Sequence, residues 1–136
     1  MNNIIGKRII KINHQSSIDR IYNQEAISVM IQQFNAKKLP FYGQIGYPSQ
    51  YGIFNPSHVT KRLWIQDQWL WADIKILKNN MGEELKNNID QYIFRPNIIG
   101  YIDNNIVIVD KFCSINAISK EQDTFDENIL EFETFS

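Results

Sequence analysis

The chain has 136 residues, 14 basic against 15 acidic, and is 43% hydrophobic, which is the length and apolar content of one domain with one core. The balanced charge disfavours a nucleic-acid partner, and the lone Cys113 excludes both an intrachain disulfide and a cysteine-rich zinc site. Apolar runs such as Ile106-Val107-Ile108-Val109 fall far short of the roughly 20 residues a membrane span needs, and residues 1–20 hold no apolar signal-peptide core, so no membrane partner and no secretory signal are expected.

Residues 7–12, with Ile9, Ile10 and Ile12 clustered, read as a strand, and the polar stretch 13–17 breaks it. Over 24–36, Ile27, Met30, Ile31 and Phe34 recur at the spacing of one apolar helix stripe. Pro40 ends that helix; 41–46 resumes as a short strand, and 48–56, with Gly52 and two prolines, forms a loop. Strands over 57–66 and 69–77 follow, joined by a tight turn at Asp67-Gln68. In the second of them Leu70, Ala72, Ile74 and Ile76 share one face, and Trp69, Trp71, Asp73, Lys75 and Leu77 share the other. Tryptophans on an outer face are candidates for partner contact, since Trp is enriched at interface hot spots; core packing is the alternative for one of the pair.

Residues 79–90 read as a short helix, with Met81, Leu85 and Ile89 spaced by four and Asn79 or Asn80 as its N-cap. The last strands are 93–102, 106–109 and 112–119, with Asp103-Asn104-Asn105 supplying a hairpin turn. No strand-helix alternation of the doubly wound kind appears. The expected fold class is therefore α+β and mostly β: a small antiparallel barrel or sandwich with two or three flanking helices, forming a single domain over 1–120. Residues 121–136 carry Glu121, Asp123, Asp126, Glu127, Glu131 and Glu133, no basic residue, and the apolar Phe125, Ile129, Leu130, Phe132 and Phe135. Such a segment is either a terminal helix docked on its own domain or an arm that folds onto a partner, and the arm is the reading adopted. Lys7, Arg8 and Lys11 could answer it electrostatically, in the same molecule or the next.

Phe41-Tyr42-Gly43-Gln44-Ile45-Gly46-Tyr47-Pro48 is similar to an opening motif (L/F)YGELGHP, and Asn55-Pro56-Ser57-His58-Val59 to a motif SH(V/I) that carries a catalytic histidine. Residues 63–77 match a strand pair ending G(D/E)(I/V)xIL, 81–86 a helix start xGxxLK, 92–100 a segment xxSxRxxG, and 115–119 fall where (F/I)DxVxxP is expected. In this order, over roughly two-thirds of the chain, these short motifs resemble the tailed-phage prohead (capsid maturation) protease family. That resemblance implies a herpesvirus-protease-like fold. It breaks at the chemistry. The family's nucleophilic serine directly precedes an arginine, and here Phe94 precedes Arg95; the family's later aspartate is matched by Asn116 and the histidine of GHP by Tyr47. Only His58 survives, and a phenylalanine has no atom that can attack a carbonyl.

A replacement nucleophile would have to come from elsewhere. Ser57 and His58 are neighbours in a strand, so their side chains are expected on opposite faces and unable to pair. Ser114 and Ser119 are the remaining candidates, and Ser114 shares a strand face with Asn116, which could orient a histidine. His14 stands isolated in a polar break. His58, Asp73 and Asp103 are too scattered for a metal site, the pair Gly43 and Gly46 is only a strand with two small residues, and neither cofactor nor metal is expected. The basic pairs Lys37-Lys38 and Lys61-Arg62 read as solvated surface. The expectation is a noncatalytic structural component of a tailed-phage virion, an auxiliary or decoration capsid protein assembled in the host cytoplasm. Its partners would be the major capsid protein or other virion proteins, or a second copy in a homo-oligomer, bound through Trp69, Trp71, Phe125, Phe132 and Phe135. The alternative is an active prohead maturation serine protease cleaving scaffold and capsid proteins, with His58 as base and Ser114 as a displaced nucleophile.

Overall fold

Two tight hairpins set the architecture. Asp67 and Gln68 have φ of 52° and 67°, and Asn104 and Asn105 have 50° and 69°; two successive positive-φ residues make the turn whose twist matches antiparallel strands. A computed structural model describes residues 3–17, 20–38, 40–48, 52–53 and 55–121. In chain order these form β1 (Ile4–Lys11), β2 (Gln15–Ser17), β3 (Arg20–Ile21), α1 (Gln24–Ala36), β4 (Phe41–Gln44), β5 (Pro56–Gln66), β6 (Trp69–Ile76), α2 (Asn80–Asn87), a 3-10 turn (Ile89–Gln91), β7 (Tyr92–Asp103) and β8 (Ile106–Ser119). The first hairpin joins β5 to β6 and the second joins β7 to β8.

The strands make two four-stranded sheets, ordered β1-β6-β5-β4 and β2-β3-β8-β7. They meet at their margins, where Ile45 bridges to Ala117 and Arg95 Nη1 donates to the Ile9 carbonyl at 3.3 Å. Among the described residues no ladder of strands closes the ring. Of the two expected architectures the closed barrel therefore falls away, leaving a mostly β, α+β domain of two sheets. Ile9, Ile27, Met30, Leu70, Ile74, Phe94, Ile98 and Phe112 fill the core between them. In β6 the alternation is as expected: Leu70, Ala72, Ile74 and Ile76 are buried while Trp69 and Trp71 face outward, half-exposed. The helix stripe is also found over 24–36, with the Asn23 side chain accepting from the Ala26 amide at 2.9 Å as its N-cap.

The strand expected over 7–12 is Ile4–Lys11 and that over 41–46 stops at Gln44; three further differences have a local reason. The polar break 13–17 contains the short β2, held by pairing with β3 rather than by any apolar pattern of its own. The helix expected over 79–90 stops at Asn87 and tightens into the 3-10 turn. The two strands expected at 106–109 and 112–119 are one continuous β8. Its register against β7 slips between Asn97 and Ile98 and again between Ile99 and Gly100, which leaves Cys113 and Asp110 as extra residues in bulges. Gln33 on α1 spans this irregularity: its Nε2 donates to the Asp110 carbonyl at 2.8 Å, and its Oε1 accepts from the Phe112 amide at 2.7 Å. Two backbone groups that the bulge removes from the ladder are thereby satisfied. Gln33→Ala should lower stability by about 2 kcal/mol, two lost hydrogen bonds at about 1 kcal/mol each, read as a shift of the urea midpoint without a change of slope. The acidic segment 122–136, with Phe125, Phe132 and Phe135, lies outside the described residues.

Candidate functional site

His58 sits near the start of β5, opposite Gly43 of β4 on one side and Ile76 of β6 on the other. Its ring is fully buried, and both nitrogens are engaged. Nε2 lies 2.7 Å from the Ile115 carbonyl oxygen, and Nδ1 lies 2.7 Å from Ser57 Oγ. A carbonyl can only accept, so the ring proton is on Nε2, and the Ser57 hydroxyl donates to the bare Nδ1. The expectation that Ser57 and His58 point to opposite faces is therefore corrected. The register between β4 and β5 slips at this point: His58 pairs with Gly43 and Pro56 with Gln44, so Ser57 is the extra residue of a bulge. A bulge breaks strict alternation and turns neighbouring side chains toward each other. Four successive residues, 57–60, are buried here, with α2 over one face, its cap residue Asn79 donating from Nδ2 to the Pro56 carbonyl at 3.0 Å.

A serine hydroxyl aimed at a neutral imidazole is the arrangement a nucleophile and base require. Two features of the structure bear on its use. Ser57 and His58 are both 0% exposed, so the oxygen is enclosed by protein. Burial also pushes the His58 pKa down from 6.5 to about 4, only partly offset by the hydrogen bond to the Ile115 carbonyl, which keeps the ring neutral and weakens it as a base. Phe94, from β7, completes the enclosure: its ring meets the His58 ring edge-on, with centroids 5.4 Å apart and planes at 83°. The residue that takes the nucleophile's place in the sequence motif is thus the residue that packs on the histidine.

Gly43 makes the remaining wall. A Cβ built there would lie 2.1 Å from the Ile115 carbonyl oxygen and 2.3 Å from His58 Nε2, so only glycine lets the hydrogen bond between them form. Sequence reasoning read Gly43 as one of two small strand residues, although a glycine inside a strand is itself a signal of close backbone approach. Ser114 and Asn116, buried on β8, face each other: Asn116 Nδ2 donates to Ser114 Oγ at 3.0 Å, and Asn116 Oδ1 accepts from the Gln44 amide at 3.1 Å. This pair ties β8 to β4, and it engages Asn116 with Ser114 and Gln44, whereas His58 is engaged with Ser57 and Ile115. Ser119 accepts from the Glu121 amide at the end of β8. Tyr47 is half-buried past β4, its carbonyl accepting from the Gln44 side chain at 3.1 Å.

A different kind of surface covers the outer face of the first sheet. Trp71 stacks on Trp64 of β5, with centroids 6.1 Å apart and planes at 18°. The Arg62 guanidinium lies 4.3 Å above the Trp64 ring and that of Arg8 lies 4.6 Å from Trp69. Trp71 Nε1 donates to the Gln66 carbonyl and Trp64 Nε1 to the Gln66 side chain, which fixes both indoles on the sheet. Trp64, Arg62 and Arg8 were not among the candidates read from sequence. The register Trp64↔Trp71, which follows from the Asp67-Gln68 hairpin, is the signal that could have found the first of them.

No family model and no curated protein sequence matches this chain. Among solved structures it is similar to the bacteriophage T4 capsid assembly protease gp21, with a TM-score of 0.67 over 85% of this chain and 80% of that one, at 13% sequence identity. The likeness shows a shared fold, in agreement with the prohead-protease-like fold expected from the motifs.

Proposed function

We propose that this chain is a noncatalytic member of the prohead-protease fold, serving as an auxiliary or decoration component of a tailed-phage capsid. The observation that carries the reading is the packed histidine. His58 is sealed by Phe94, held by the Ile115 carbonyl and Ser57, and has no exposed surface. The group on which a protease of this fold would depend has here become a core residue. The outer face carries Trp64, Trp69 and Trp71 with Arg62 and Arg8 laid on the rings, a composition that supports binding a protein partner there. The acidic aromatic arm, with Phe125, Phe132 and Phe135, would add a second point of attachment to the major capsid protein or another virion protein.

A second reading, an active maturation protease, is favoured by one observation, the 2.7 Å contact between Ser57 and His58. It would make Ser57, not Ser114, the nucleophile. Incubating the purified chain with a fluorophosphonate probe, and separately with capsid and scaffold precursors, decides between them. The expected result is no labelled serine and no cleavage. Labelling of Ser57, or a cleavage that disappears in His58→Ala, would replace the structural reading by the enzymatic one.

A further inference from the structure

The basic pairs Lys37-Lys38 and Lys61-Arg62, which read as separate solvated patches in the sequence, are partly brought together by the fold. Lys37, Lys38 and Lys61 rim one groove of about 300 Å³ whose walls include Phe34, Phe41 and Val59, and among the described residues no carboxylate lines it. Each of the three lysines has its own reason to be there. Lys37 caps the C-terminal end of α1, where the helix dipole favours a cation, and Lys38 follows it. Lys61 is the extra residue of a bulge in β5, since Thr60 pairs with Ile74 and Arg62 with Asp73, and so stands out of the ladder. Beneath the rim, Phe34, Phe41 and Phe112 form an aromatic cluster with centroids 5.1 to 6.3 Å apart. Thr60, 3% exposed, adds a hydroxyl with no hydrogen-bond partner among the described residues.

An apolar floor ringed by three cations calls for an occupant that alternates aromatic and acidic side chains. The chain carries one. Residues 122–136 hold Asp123, Asp126, Glu127, Glu131 and Glu133, no base, and Phe125, Phe132 and Phe135. We propose that in the free protein this segment folds back and docks in the groove of its own molecule, an aromatic side chain seated against Phe34 and Phe41 and carboxylates paired with Lys37, Lys38 and Lys61. The reach suffices. β8 passes the groove at Phe112 and ends at Ser119, roughly 25 Å further on at strand rise. The segment of fifteen residues after Glu121 extends to about 50 Å, enough to return with half its length left to bind. Attachment to the same chain supplies a high effective concentration, which favours the own groove over that of a second copy.

Zero-length carbodiimide cross-linking of the full chain, in an equal mixture of isotopically light and heavy protein, tests this directly. Peptide mass spectrometry should find Glu131, Glu133 or their acidic neighbours joined to Lys37, Lys38 or Lys61 within single molecules. Cross-links to Lys7 and Lys11 instead, links between light and heavy chains, or none from the segment would overturn the proposal. The charge reversal Lys37→Glu, Lys38→Glu, Lys61→Glu changes only exposed side chains and gives an independent reading. Chymotryptic cleavage at Phe125, Phe132 and Phe135 should become about tenfold faster than in the parent chain, with the domain still folded by circular dichroism. Equal cleavage rates would contradict docking in this groove.

Discussion

Gly43→Ala should cost about 4 kcal/mol of stability, the sum of an overpacking strain of about 2 kcal/mol and a broken buried hydrogen bond of about 2 kcal/mol. The added methyl would fall 2.1 Å from the Ile115 carbonyl oxygen and 2.3 Å from His58 Nε2. Neither can retreat freely. The oxygen belongs to the backbone of β8, and the ring is confined by Ser57 on one side and Phe94 on the other. Relief requires β4 to lift from β8, which would also loosen the Asn116 contact to the Gln44 amide. For a domain whose total stability is of order 5–15 kcal/mol, the change leaves a marginal fold. Gly6→Ala supplies the control: a Cβ there meets only Asp73 Oδ1 at an ordinary 3.6 Å, and its effect should stay within about 0.5 kcal/mol. Urea denaturation of the two variants checks the contrast, and equal midpoints would mean that the wall around His58 is not tight.

Acid should destabilise the protein well above the carboxylate range. His58 has its pKa lowered from 6.5 to about 4 by burial. Between those values the unfolded chain binds a proton that the folded chain refuses, so stability rises with pH there and falls as pH drops. The contribution is fully present above about pH 6.5, is reduced by about 2 kcal/mol at pH 5, and has lost about 3 kcal/mol by pH 4. Stability measured by denaturant at successive pH values should show this slope, and His58→Gln should flatten it between pH 6.5 and 4. Should that variant fail to fold, the ring resonances of His58 followed by NMR in the parent chain give the same answer. Titration near pH 6.5 would show an accessible imidazole and return the site to catalytic candidacy.

Local pattern carried most of the architecture. The stripe Ile27, Met30, Ile31, Phe34 placed α1, the alternation Leu70, Ala72, Ile74, Ile76 placed the inner face of β6, and both two-residue turns were visible as residues that tolerate positive φ. What escaped was every irregularity set by a partner strand. The bulges at Ser57, Lys61, Asp110 and Cys113 each insert one residue into a ladder, and a period of two in one strand holds no record of a slip against its neighbour. The consequences were functional. Without the bulge at Ser57, the serine and histidine seemed unable to meet; without that at Lys61, the groove beside α1 was two unrelated basic pairs. Gly43 was misread for the same reason, because its constraint is imposed by a histidine fifteen positions later and a carbonyl on β8. The motif order, by contrast, set Phe94 at the family's serine position, and the structure packs its ring on His58.

The most direct measurement of the proposed structural reading is quantitative mass spectrometry of mature phage particles purified from a culture in which this chain is expressed. A noncatalytic capsid component predicts an intact chain, including residues 122–136, at a copy number that scales with the capsid lattice. Its absence from mature particles, or its presence only as self-cleaved fragments, would contradict that reading and put the protease reading first.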